Sequence, residues 1–230
     1  METAHQKMNT KTDIDASQNV NGVFAVQPPR WLEWAREVQA LSQTGLYYAE
    51  NHYQVQRYQR LAEIAAEIIS ESSGLEYQSL AGAFQAQLGY ATPKVDVRAA
   101  AFREHKILLV RERNDGCWAM PGGWADVGDV PSQSAEREAW EEAGFRVRAH
   151  KVVGVYDANR TGPLEIFHAF KIVFLCEIVG GEARPSDETS QVTFFGKHEI
   201  PLLSGERTRL RHILDAFTAL DNPQSPCQFD

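Results

Sequence analysis

The chain has 230 residues, 43% of them apolar and 23% charged; these proportions support a packed core and exclude a chain that is disordered, collagen-like or low-complexity throughout. Lys and Arg total 23 against 31 Asp and Glu, a formal charge of −8. Net charge therefore gives no help in binding nucleic acid, which is left only a local groove, whereas an excess of carboxylates suits a divalent metal.

Residues 1–27 are polar, rich in Asn, Thr, Gln, Asp and Ser, and are expected to form a disordered tail without the apolar stretch of a secretory signal. From residue 28 the pattern turns helical. Trp31, Leu32, Trp34, Ala35, Val38 and Leu41 recur at spacings of three and four, which predicts an amphipathic helix stopped by Gly45. A second helix is predicted over 54–70, closed by Gly74, and a third over 77–88. Together they form a small all-α domain over 28–90, too small to bury its own apolar stripes. The periodicity then changes to that of strands. Val95, Val97, Ala99 and Ala101 alternate, residues 106–111 follow as a second strand, and Glu104-His105 is the turn between them. Further strands are predicted over 152–156, 167–178 and 192–195, with helices over 132–143 and 205–220. Mixed strands with two helices indicate an α/β or α+β layered domain over 94–222, followed by a tail over 223–230. Nowhere does an apolar run reach the ~18 residues of a membrane span. Cys117, Cys176 and Cys227 are widely spaced and odd in number, so a reducing, cytoplasmic compartment is expected.

The helix over 132–143 carries the chemistry. Glu138, Glu141 and Glu142 stand at i, i+3 and i+4 and share a face. Three carboxylates there repel one another. Arg137 can brace only part of the cluster, and a hard cation such as Mg²⁺ or Mn²⁺, bound through oxygens, compensates it better. Gly122 and Gly123 precede the helix and allow backbone carbonyls to approach such an ion. Asp129, just before Pro131, suits a helix cap. Trp118 and Trp124 flank the glycine turn, either as core or as rings that stack on a base or a cationic head group. Arg111 and Arg113 end a strand where they could meet phosphate, Asp157 and Arg160 lie in a loop after a strand, and His168 alternates with apolar neighbours as a structural histidine does.

From Gly123 to Phe145 the sequence resembles the Nudix box, G-x5-E-x7-R-E-U-x-E-E-x-G-U with U a bulky apolar residue. Gly123, Arg137, Glu138, Glu141, Glu142, Gly144 and Phe145 fit; Asp129 replaces the first Glu, and Ala139 is small for its U position. The resemblance implies an α+β fold, the Nudix α/β/α sandwich, over 94–222. It also implies metal-dependent hydrolysis of a nucleoside diphosphate linked to another group. Carried over by position, Glu138 and Glu142 are the main metal ligands, Glu141 a further ligand or holder of the attacking water, and the carbonyl of Gly122 or Gly123 completes the shell. Arg137 orients a glutamate, and Glu188 is the acid outside the box that acts as base or ligand. The stretches beginning at Trp31, Gly122 and Tyr156 are similar to a subfamily with a helical N-terminal domain that includes CDP-choline pyrophosphatases. That similarity implies a homodimer through the helices and CDP-choline as first substrate, with Trp118, Trp124, Tyr156 and Asp157 as candidate receptors for the ammonium group. ADP-ribose and nucleotide sugars are the alternatives. An RNA-processing hydrolase and a non-catalytic regulator are the others, and the retained acids speak against the last.

Overall fold

The structure, a computed structural model, describes residues 29–158 and 167–230; the tail expected over 1–27 and the candidate Arg160 lie outside them. The N-terminal unit consists of α1 (Arg30–Tyr47), α2 (His52–Ser73) and α3 (Tyr77–Gln85). The side chain of Asn51 caps α2 by accepting the Gln54 N–H at 3.0 Å, and Gly74, at φ 76°, ends it in the left-handed conformation that glycine adopts most readily. Leu32, Ala35, Ala65, Ala66, Ile69, Leu80 and Phe84 form its core. The expected stop at Gly45 is not one. The helix runs on to Tyr47, because Gly45 is where α2 crosses: a Cβ there would stand 2.2 Å from the ring of Tyr58. Trp31 packs against this core, whereas Trp34 is exposed.

The rest is a sheet between two helices. Strand β1 (Lys94–Arg103) turns into β2 (Lys106–Glu112) through Glu104 and His105, both at positive φ. Strands β3 (Trp118–Ala119) and β4 (Gly122–Trp124) precede α4 (Pro131–Ala143). Then come β5 (Phe145–Asp157), β6 (Ala169–Gly181), β7 (Thr189–Phe195), α5 (Leu210–Asp221) and β8 (Gln228–Phe229). Strand β1 pairs parallel with β6 along one edge; its other edge takes β4 at residues 96–98 and β2 only at 102–103. Beyond that turn β2 leaves β1 and pairs with β3 and β7. The chain thus crosses from one sheet branch to the other at Met120-Pro121, directly before the glycine pair. Alternation along the strands splits the core into two layers. Val97, Ala99, Leu108 and Val110 face α4 with Ala135, Ala139 and Ala143. Ala100, Ile107, Leu109 and Val173 face α5 with Ile213, Ala216 and Phe217. Small residues at every fourth position let α4 lie close on the sheet, which explains Ala139 where a bulkier residue was expected.

Strands β3 and β4 are too short, at two and three residues, for a periodicity to announce them. Strand β5 begins seven residues earlier than predicted because register shifts break its alternation. Helix α5 starts at Leu210 rather than near 205, since the preceding loop is tied to β3: Trp118 donates to the carbonyl of Leu202 at 3.0 Å, and the Met120 N–H to Thr208 Oγ1 at 2.9 Å. The final residues, expected as a tail, join the sheet as β8 parallel to β5. Trp140 on α4 is partly exposed, its indole flanked by the guanidinium groups of Arg146 and Arg184, each 4.9 Å away.

Candidate active site

The glycine turn and the acid face of α4 meet where the two sheet branches part. Gly122 sits at φ 147°, and a Cβ on it would lie 2.0 Å from the carbonyl oxygen of Val97. No other residue fits there without moving β4 from β1. Held this way, the Gly122 N–H donates to Glu142 Oε2 at 2.9 Å. The Glu142 side chain comes from the last turn of α4 and is buried. Burial pushes its carboxyl up to about 7, against the opposing pull of Arg98 and the Gly122 N–H. One turn earlier, Glu138 lies against Gly123, where a Cβ would stand 3.4 Å from Glu138 Oε2. Burial raises this carboxyl too, Arg137 opposes the rise, and Glu141 adds to it.

Arg137 braces more of the cluster than its place in the helix suggests. Its Nη1 meets Glu138 at 2.9 Å and Glu141 at 3.0 Å; its Nη2 reaches Asp129 at 3.3 Å and Asp126 at 3.4 Å. Asp129 is therefore a partner of Arg137 and not the helix cap: Val130 occupies the cap position, with Pro131 in the first turn. Glu141 is half exposed. Glu188 is exposed beside β7, its carbonyl accepting the Arg113 N–H at 2.9 Å, and it is close enough to raise the carboxyl of Glu138.

Several residues here were not singled out from the sequence. Asp96 and Arg98 lie on β1 behind the turn, both buried. Arg98 grips Asp96 through Nε at 2.9 Å and Nη2 at 2.7 Å, and its Nη1 donates to the Met120 carbonyl at 3.2 Å. Lys171 donates to the same carboxylate at 2.6 Å. Burial favours the neutral acid at Asp96, but the two cations outweigh it and hold the carboxyl below its usual range. Glu112, the last residue of β2, is also buried, and its Oε1 has no hydrogen-bond partner. The available signal was a charged residue at alternate positions of strands otherwise apolar.

The expected substrate residues do not assemble as one set. Tyr156 is buried under α5, its hydroxyl donating to Asp215 at 2.9 Å, with Arg211 over the ring and His212 against it. Trp118 packs edge-on against Phe195. Trp124 is half exposed, with the Lys94 ammonium 6.0 Å from its ring. Asp157 lies 3.3 Å from the ring of His168, which is half exposed just before β6. Arg111 braces the β2–β3 turn through the Gly116 carbonyl at 2.8 Å, and Arg113 faces Ser186.

Residues 92–217 match the family model of the NUDIX domain. The chain belongs to the Nudix family. Residues 29–84 match a second model, the UDP-X-like N-terminal oligomerisation domain. Among relatives of this Nudix chain, the Bacillus subtilis protein named "Putative ADP-ribose pyrophosphatase YjhB" is 33% identical over 202 residues, 87% of this chain and 97% of that one. An ADP-ribose pyrophosphatase of Streptococcus suis has a crystal structure that matches at a TM-score of 0.56 and 37% identity, covering 60% of this chain and all of that one. The crystal structure of a UDP-X diphosphatase matches at a TM-score of 0.56 and 28% identity over 87% of this chain and 98% of its own. The chain is thus a Nudix pyrophosphohydrolase with an N-terminal oligomerisation domain, of a family that generally uses divalent metal ions. Its residues fit such an ion in chemistry: the donors are hard oxygens, and two of the carboxylates, the buried Glu142 and the partly buried Glu138, have their charged forms disfavoured. Among the described residues, no three acid, histidine or cysteine side chains are already gathered around one point; Glu138 is turned to Arg137. No described helix is long and apolar enough to cross a membrane.

Proposed function

We propose that this protein hydrolyses the P–O–P link of ADP-ribose, releasing AMP and ribose 5-phosphate, with Mg²⁺ or Mn²⁺ as cofactor. The observation that carries the reading is the buried Glu142 carboxylate on the Gly122 N–H, one turn from Glu138 at Gly123. When bound, the divalent cation neutralises the diphosphate and lowers the pKa of bound water. Glu138 and Glu142 would hold it, together with the carbonyl of Gly122 or Gly123 and with Glu141. Arg137 keeps the carboxylates of Glu138 and Glu141 in place. Glu188, exposed at the mouth and electrostatically in reach of Glu138, takes the proton of the attacking water.

ADP-ribose is favoured over CDP-choline because the B. subtilis and S. suis relatives are named for it and because the described residues form no cage for a quaternary ammonium. Such a cage needs open aromatic faces. Tyr156 has its face covered by Arg211, and Trp124 already has a cation beside it. A UDP-linked conjugate is the second reading, supported by the likeness to UDP-X diphosphatase across both domains. We also infer a homodimer built through α1–α3, which carry exposed apolar side chains and match the oligomerisation-domain model. The deciding experiment offers ADP-ribose, UDP-glucose and CDP-choline to the purified protein with each metal. The expected outcome is a kcat/KM for ADP-ribose at least about tenfold above that for CDP-choline, a difference of ~1.4 kcal/mol in transition-state binding. Preference for CDP-choline overturns the ADP-ribose reading, and failure to cleave any conjugate overturns the pyrophosphatase reading itself.

A further inference from the structure

Glu112 ends β2, outside the Nudix box, and its surroundings are unlike those of a structural acid. The residue is 1% exposed, and its Oε1 is the one buried side-chain polar atom without a hydrogen bond among the described residues. Arg207 approaches that oxygen to 3.4 Å, as a counter-charge and not as a donor. Such orphaned atoms are rare in folded proteins and each asks for an explanation.

Strand register says where the side chain points. Glu112 pairs with Thr189 across the antiparallel β2–β7 ladder, after a register shift that skips Ser190. Residues directly opposite in such a ladder project to the same face of the sheet. Thr189 identifies that face, because its hydroxyl donates to the backbone carbonyl of Glu142 on α4 at 2.8 Å. Glu112 is therefore directed to the side of the sheet where Glu142 sits. Electrostatics agree. Glu112 raises the carboxyl of Glu142, Glu138 raises it too, and Glu188 raises both Glu138 and Glu112. Glu112 thus repels Glu142 and Glu188, two of the acids expected from the box and the loop. Arg98, which pulls against the rise at Glu112, Glu138 and Glu142, is already held bidentate by Asp96.

We propose that Glu112 is a further metal-facing carboxylate of this site, its Oε1, which accepts no hydrogen bond, supplying an oxygen to a divalent cation shared with Glu142. The proposal rests on the metal-dependent reading above and adds a ligand from β2 to the set on α4. It also gives a reason why that buried oxygen accepts no hydrogen bond: a metal ion takes the place of a donor.

The test needs no turnover. Mn²⁺ is titrated into the full-length protein without substrate, and the free-ion signal is followed by electron paramagnetic resonance. Glu112→Gln keeps shape and removes the charge, and it is expected to weaken Mn²⁺ binding at least tenfold. Glu142→Gln is expected to do the same, and the double variant to lose less than the product of the two, as two ligands of one ion require. Arg207→Gln separates this from a purely structural pair. It is expected to leave Mn²⁺ affinity unchanged or tighter, whereas an acid that serves only to hold Arg207 predicts the same loss in both variants. Should Glu112→Gln not fold, as judged by circular dichroism, Glu112→Asp replaces it, with weaker binding expected from the withdrawn carboxylate. Unchanged Mn²⁺ affinity in a folded Glu112 variant overturns the proposal alone. A wild-type protein that binds no Mn²⁺ overturns the metal-dependent reading and this inference with it.

Discussion

Glu142 serves two partners that make different demands on it. The Gly122 N–H needs only an acceptor, whereas a divalent cation needs a charge. Glu142→Gln separates them, because the amide oxygen can still accept from Gly122 while the ligand charge is gone. Metal activation is worth several kcal/mol and each ~1.4 kcal/mol is tenfold, so kcat should fall about a thousandfold at saturating Mg²⁺. Thermal stability of the metal-free protein should not fall, since burial already disfavours the anion there. Turnover near that of the wild type would exclude Glu142 as a ligand. Asp129→Asn is a contrasting case. Asp129 touches the site only through Arg137 at 3.3 Å, a contact shared with Asp126, so the loss in kcat should stay under about tenfold. A loss as deep as that of Glu142→Gln would mean that Asp129 reaches the metal itself.

At the level of elements, β4 is the part on which the site depends most and which sequence reading missed. Its three residues lock onto β1, with Val97 opposite Gly123 and Arg98 opposite Gly122. The Cβ of Gly122→Ala would meet the backbone of Val97 and Arg98 first, which no side-chain movement relieves. This variant should lose more than about 2 kcal/mol in urea unfolding; a variant as stable as the wild type would show that β4 can shift freely. The acid face of α4 was legible because a helix places i, i+3 and i+4 together whatever surrounds it. Asp96 and Arg98 were not, for the opposite reason. Alternating charges in a strand ordinarily mark a solvated face, but β1 is central and α5 covers its second face, so those charges are internal. Tyr156 ends the strand expected over 152–156 and was a receptor candidate only through the resemblance; its ring lies under α5. Gly45 was legible as a special position and misjudged in kind, since a crossing partner 13 residues further along the chain leaves no local trace. The register shift that brings Thr189 opposite Glu112 also depends on a strand nearly 80 residues away, beyond the reach of any local pattern.

For the molecule as a whole, the buried polar layer under α5 couples stability to pH. His212 is buried beside Lys171, Arg209 and Arg98; burial first, then these cations, lower its pKa to about 3, while Asp96 pulls weakly the other way. In the unfolded chain it is near its usual ~6.5. Between these values the unfolded chain takes up a proton that the folded one refuses, so stability falls as pH drops from 6.5 toward 3, at up to ~1.4 kcal/mol per unit. His212→Asn keeps an acceptor for the Arg209 N–H, which His212 Nδ1 receives at 3.2 Å, and should flatten the pH dependence of the urea midpoint between pH 4 and 6. An unaltered slope would assign the acid sensitivity elsewhere. Assembly is the other property of the whole chain. The apolar side chains left exposed on the helical unit include Trp34 at 53%, Leu41 at 60% and Leu88 at 88%. Trp34 and Leu41 stand two turns apart on one face of α1. A monomer leaves that stripe in water at a cost of ~25 cal/mol per Å², and a second copy placed on it by two-fold symmetry covers it twice over. Sedimentation at micromolar concentration should therefore give twice the 25.8 kDa chain mass. Trp34→Glu with Leu41→Glu should place two like charges against their own symmetry mates and shift the protein to monomer, with its secondary structure by circular dichroism unchanged. A wild-type monomer would reject the dimer, and a double variant that still dimerises would move the contact off α1 to another face of the helical unit.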